Sequence, residues 1–209
     1  MAACLHQLCR ETALTQERAE ALLALCREQG FALYRTVGSI LRGWALAEQG
    51  HAAEGVAQMQ EGLTTRRTLG AKGTDTYCSA MLAEGYGHSG QLDAGLTVLA
   101  EALAAVDQSE VRFYEAELYR LKGELLLAQA GTGHKGQEAE ACFRQALAVA
   151  RRQQAKWLEL RAATNLSRLW QQGKRDAAHH LLTEVYGWFT EGFETPDLRE
   201  AQALLAELS

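Results

Sequence analysis

Few side chains in this chain have the type and spacing that metal binding or catalysis would need. His179 and His180 are adjacent, so on a helix they point to different sides and cannot chelate one ion from a single face. Cys4, His6 and Cys9 lie close together but make neither a CxxC knuckle nor half of a two-part zinc site. The run Gly131-Thr132-Gly133-His134-Lys135-Gly136 lacks the GxxxxGK[ST] spacing that cradles phosphates and reads as a lengthened turn between helices. Nothing brings a Ser–His or Cys–His pair into defined proximity. These readings predict no catalytic function, no metal and no cofactor.

Side chains suited to binding remain. Trp44, Tyr77 and Trp170 offer aromatic surface, His88 and Arg120 offer hydrogen-bond donors, and Glu84, Glu117 and Glu124 offer negative charge. Aromatic residues and Arg are the types most enriched at binding hot spots. Competing with that reading, Trp44 and Trp170 could pack against a neighbouring helix. Glu117, Arg120 and Glu124, spaced by three and four, could form an ordinary ion-pair ladder along one helix.

A repeating pattern positions these residues. It runs small, two residues, apolar, three residues, Gly, four residues, small, three residues, apolar, two residues, small, Leu. Its copies are Gly43, Leu46, Gly50, Gly55, Met59, Gly62, Leu63, then Ala83, Tyr86, Gly90, Gly95, Leu99, Ala102, Leu103. A third begins at Gly123 and Leu126 and resumes at Ala139, Phe143, Ala146, Leu147. A fourth runs Leu166, Leu169, Gly173, Ala178, Leu182. Small residues let two antiparallel helices approach, and the Gly between them ends the first helix in a left-handed turn. Large residues at Tyr86, Phe143 and Leu182 fill the space between successive pairs.

This pattern resembles the tetratricopeptide repeat, whose ordinary unit is about 34 residues. The steps here, Gly43 to Ala83 and Ala83 to Gly123, are 40 residues each. The stretches ILRGWALAEQG (Ile40 to Gly50), RFYEAELYRLKGELLLAQ (Arg112 to Gln129) and EVYGWFTEGFETPDLREA (Glu184 to Ala201) resemble the C-terminal repeat region of large bacterial signalling proteins. In those proteins a cyclase-like domain and a predicted ATPase precede the repeats. The long units are also similar to those of the maltose-regulon type of transcription activator. The resemblance implies a regulatory or sensing part of a larger bacterial ATPase, binding a protein or peptide segment or docking on its own upstream ATPase. The rival reading is a sensor domain that binds a small effector in the groove.

The fold expected is an all-α, right-handed superhelical solenoid of antiparallel helix pairs, with about ten or eleven helices. Residues 1–209 read as a single repeat domain without an internal boundary. It comprises a partial repeat at 1–30, repeats at 31–70, 71–110, 111–155 and 156–190, and a capping helix at 196–208. Thr195 is placed to cap that last helix, Pro196 to start it, and Asp197 to favour its positive dipole end. The first helix of each pair should line the concave face. That places Trp44, Tyr77, Glu84, His88, Glu117, Arg120, Glu124 and Trp170 in the groove, with an acidic surplus suited to a basic partner.

Composition narrows the partner class. The net charge of -5 disfavours a nucleic-acid surface. The N-terminus lacks a secretion signal, and no apolar run is long enough to span a bilayer. Five cysteines at scattered positions suit a reducing cytoplasm. The N-terminal unit reads as cut from a longer array, or else as a degenerate cap, and its uncapped edge is a place for weak self-association.

Overall fold

The structure, a computed structural model, describes residues 2–71, 75–108, 111–129 and 134–209. Gly131, Thr132 and Gly133 of the glycine-rich run lie outside the described residues. Lys135 and Gly136 belong to the helix that follows.

Among the described residues every regular element is a helix. They are α1 (Ala2–Leu8), α2 (Thr12–Gln29), α3 (Ala32–Glu48), α4 (Ala52–Thr68), α5 (Asp75–His88), α6 (Leu92–Asp107), α7 (Glu115–Gln129), α8 (His134–Gln153), α9 (Lys156–Trp170), α10 (Arg175–Tyr186) and α11 (Pro196–Leu208). They form two compact units, Met1–Val111 and Arg112–Ser209. The division falls where the second repeat ends and the third begins.

In unit 1 the pairing of α3 with α4 follows from three small residues. A Cβ on Gly43 would lie 2.7 Å from the Gly55 carbonyl oxygen, and one on Gly62 would meet Ile40 at 2.8 Å. Later positions on α4 therefore oppose earlier positions on α3, so the two helices run antiparallel. The chain reverses at Gly50, whose φ of +91° few residues with a Cβ adopt. The Gly50 and His51 amides donate to the Ala47 and Leu46 carbonyls and close the end of α3. Gly90 repeats this turn with φ +73°. Gly173, the expected equivalent in unit 2, does not have positive φ; there the Lys174 amide donates to the Trp170 carbonyl instead.

The large positions of the repeat form the core. Met59, Leu99, Phe143 and Leu182 are each fully buried, as are the small residues Ala83, Ala139 and Ala178. Tyr86 is also buried, and its hydroxyl accepts a hydrogen bond from Gln60.

α11 departs from the expected start. Thr195 occupies the position before the helix, but its hydroxyl donates back to the Gly192 carbonyl at 2.6 Å rather than accepting from a helical amide. Its anchor is a side chain from another helix, described below.

These contacts distinguish two glycines. A Cβ at Gly55 would run into the backbone oxygen of Gly43, whereas one at Gly123 would meet the Phe143 ring at 2.5–2.9 Å. Backbone cannot rotate away, but a ring can tilt. Gly55→Ala should therefore destabilise by about 1–3 kcal/mol, the range for overpacking, and Gly123→Ala by less. Urea unfolding of both variants checks this ordering.

Candidate functional site

In unit 1 the first helices α3 and α5 meet through two side-chain pairs stacked one helical turn apart. Trp44 is buried, and its indole Nε1 donates to Glu84 Oε2 at 2.6 Å. One turn on, His88 Nε2 lies 2.8 Å from Glu48 Oε1. Trp44 and Glu84 occupy equivalent places in successive repeats, as do Glu48 and His88. Trp44 is therefore not an open aromatic anchor; it forms part of the wall between two helices. Tyr77 is also buried, and its hydroxyl donates to Gln7 Oε1 of α1 at 2.6 Å. Of the residues expected on this face in unit 1, Glu84 and His88 keep accessible side chains.

In unit 2 the expected binding charges form a buried network. Arg120 donates through Nε and Nη2 to both oxygens of Glu117, each at 2.9 Å. Arg161, on the neighbouring first helix α9, donates to Glu117 Oε1 at 3.1 Å and to Asp197 Oδ2 of α11 at 2.8 Å. Asn165 links the outer edge, donating to Glu124 Oε1 and accepting from Arg120. Glu117, Arg120, Arg161 and Asp197 are all less than 10% exposed. Only Glu124 of this group reaches solvent substantially, and it pairs with Arg120 at 2.6 Å. The intrahelical ladder is present, and it serves to tie α7, α9 and α11 together.

Burial alone would raise the Glu117 carboxyl, but the two guanidinium groups more than offset it and hold its pKa at about 2. Arg161, buried between Glu117 and Asp197, is held above its ordinary value by those two carboxylates.

Trp170 is half-buried, with Arg144 and Lys174 lying 5.0 and 5.1 Å from its ring centroid. Both cations also donate to Glu140 Oε1. The ring is thus engaged by its own chain. Nearby in sequence, Trp157 and Trp188 both stack edge-on against Phe189, and Trp188 stays 58% exposed.

An open cleft of about 750 Å3 lies between α2, α3 and α4 in unit 1. Helix α3 contributes Arg35, Ser39 and Arg42, helix α2 contributes Glu20 and Arg27, and helix α4 contributes Gln58 and Glu61. Arg42 is held in place, donating to Gln58 Oε1 at 2.6 Å and to Glu20 Oε1 at 3.4 Å. Arg27 and Arg35 are exposed, with no ion-pair partner among the described residues. Phe31 and Tyr34, at the start of α3, pack edge to face at 6.3 Å and remain 48% and 61% exposed. Sequence reading missed this cleft because it counted only groove positions. The signal was available: residues 35, 39 and 42 fall on one helical face.

None of the five cysteines forms a disulfide, and His6 pairs with Glu11. Among the described residues one group has converging metal-ligand atoms, namely Glu48, Glu84 and His88.

No protein-family model matches the chain, and none of the curated proteins matches it. Solved structures do. A crystal structure of BtubC (BKLC) from P. vanneervenii superposes with a TM-score of 0.69 over 98% of this chain and 82% of that one, at 16% identity. The fold is that of tetratricopeptide-like repeats. A putative kinesin light chain with nearly identical tetratricopeptide-like repeats, from Podosopora anserina, agrees. Its TM-score is 0.63 over 83% of this chain and 84% of that one, at 17% identity. At such identities the likeness concerns the fold alone.

The network in unit 2 sets a stability prediction. A carboxyl held at about 2 when folded, against 4.5 ordinarily, contributes stability that is present above about pH 4.5 and lost as pH falls toward 2. Glu117→Gln should remove that acid limb from a plot of unfolding midpoint against pH. It should also cost about 3–5 kcal/mol at neutral pH, because two buried guanidinium groups lose their shared acceptor.

Proposed function

We propose that the protein is a non-catalytic repeat scaffold that binds an extended segment of a protein partner. The observation that carries this reading is the open cleft of α2, α3 and α4, with three arginines set against two glutamates. A small effector is best held in an enclosed, mostly apolar cavity with few polar groups. An open cleft of mixed charge suits a peptide chain, whose side chains can satisfy several charges in turn.

The partner segment carries acidic side chains for Arg27 and Arg35 and an apolar residue for the exposed Phe31–Tyr34 pair. This replaces the basic partner expected from the sequence, because Glu117 and Arg120 are consumed in the buried network. The accessible Glu84 and His88 of the first-helix face add a second, smaller contact region.

The wider setting follows from the sequence resemblance. We place the chain in a bacterial cytoplasmic regulator, as the sensing part of a signalling ATPase whose nucleotide-binding domain is the natural partner. Reading the coding sequence ahead of Met1 tests that setting: an in-frame ATPase domain supports it, and an unrelated reading frame removes it.

A displayed peptide library panned on the purified chain tests the cleft. Selected peptides should be enriched in Asp and Glu beside an aromatic or aliphatic residue. Arg27→Ala and Arg35→Ala should each weaken them by about 1–2 kcal/mol without moving the unfolding midpoint, and the loss should shrink as salt rises. Peptides that bind both variants as tightly as the parent would move the site elsewhere.

A further inference from the structure

We propose that Glu48, Glu84 and His88 form a binding site for one divalent transition-metal ion of the zinc class, at the contact of α3 with α5 in unit 1. Their ligand atoms, one from each residue, all lie within 4.8 Å of one another. Tetrahedral bonds of about 2.1 Å set ligand atoms about 3.4 Å apart, so small side-chain rotations close the shell. The sequence reading expected no metal because it looked for neighbouring Cys and His. These ligands come from two helices one repeat apart, and only the stacking of those helices joins them.

Rigid elements supply all three ligands. Glu84 and His88 are four residues apart on one face of α5, and Glu48 ends α3. Glu48 Oε1 is buried and accepts no well-formed hydrogen bond, although His88 Nε2 lies only 2.8 Å away. A buried carboxylate oxygen and a ring nitrogen that converge to 2.8 Å from two helices are placed as two ligands of one cation would be.

An outer partner is in place as well. Trp44 Nε1 donates to Glu84 Oε2 at 2.6 Å, fixing that carboxylate's orientation beside the other two ligands. His88, 42% exposed at its side chain, gives the ion a route in from solvent.

The donor set selects the ion class. One imidazole and two carboxylates suit zinc, cobalt or ferrous iron; the absence of thiolate among the three disfavours Cu(I). Three donors with an imidazole among them fall short of the oxygen cage calcium takes. Three protein ligands leave one tetrahedral position open for water or for a donor group of a bound partner.

Calorimetric titration of the whole chain with zinc chloride, in a non-chelating reducing buffer, tests the site. The parent chain should take up one ion that Glu48→Gln, Glu84→Gln and His88→Gln each weaken by about tenfold or more. Zinc should raise the thermal midpoint of the parent and fail to raise that of His88→Gln. Circular dichroism without metal confirms that the variants fold; should one not, the other two carry the comparison. The proposal is overturned if the parent takes up no zinc. It is equally overturned if zinc binds the three folded variants as tightly as the parent, which would assign the ion to the cysteines or to other histidines.

Discussion

The backbone contact between Gly43 and Gly55 governs the organisation of the first unit. With no Cβ on either residue, α3 and α4 touch main chain to main chain, and that contact fixes the rotation of α3 about its own axis. Thr36, Ile40 and Gly43 then face α4. The face of Trp44 and Glu48 turns toward α5, where Glu84 and His88 meet them. The remaining face, with Arg35, Ser39 and Arg42, is left to the cleft. One helix thus serves three purposes because a single close approach sets its orientation.

The second unit uses charge where the first uses shape. Two arginines and two carboxylates are nearly removed from water between α7, α9 and α11. Such a group is no bargain in free energy against well-packed apolar side chains, but it tolerates little misalignment, since each missing partner strands a buried charge. Its geometric demand suits α11, which docks on α9 and α10. Apolar contact from Leu198, Ala201 and Leu204 supplies the area, and Arg161 supplies the position.

Much of this was legible in the sequence. The repeat predicted the helix pairs, and the large residues it named, Tyr86, Phe143 and Leu182, are all buried, because spacing along a helix translates directly into a face. The fate of the binding candidates was less legible. Trp44 looked free of structural duty, yet its partner Glu84 sits one repeat away, at the same place in the next unit. Counting one repeat step would have paired them. Glu117 and Arg120 were expected to bind in the groove, with an ion-pair ladder as the rival reading. The ladder is what forms, and Arg161 and Asp197, which turn it into a buried cluster, come from helices whose contact with α7 no local spacing reveals. Asp197 was assigned to the dipole of its own helix, the nearest local explanation, and the longer-range ion pair prevailed.

The chain order of that cluster carries a consequence for synthesis. Glu117 and Arg120 are translated before Arg161, and Arg161 before Asp197 of α11. Until α11 leaves the ribosome, the Arg161 guanidinium has one of its two carboxylates, and the apolar face it will cover stays open. The buried cluster of the second unit therefore cannot be completed until the first turn of α11, which carries Asp197, has emerged. A chain interrupted between α10 and α11 would leave Arg161 without Asp197 and the apolar face that α11 covers unsealed, the kind of product that quality-control proteases recognise by exposed apolar surface.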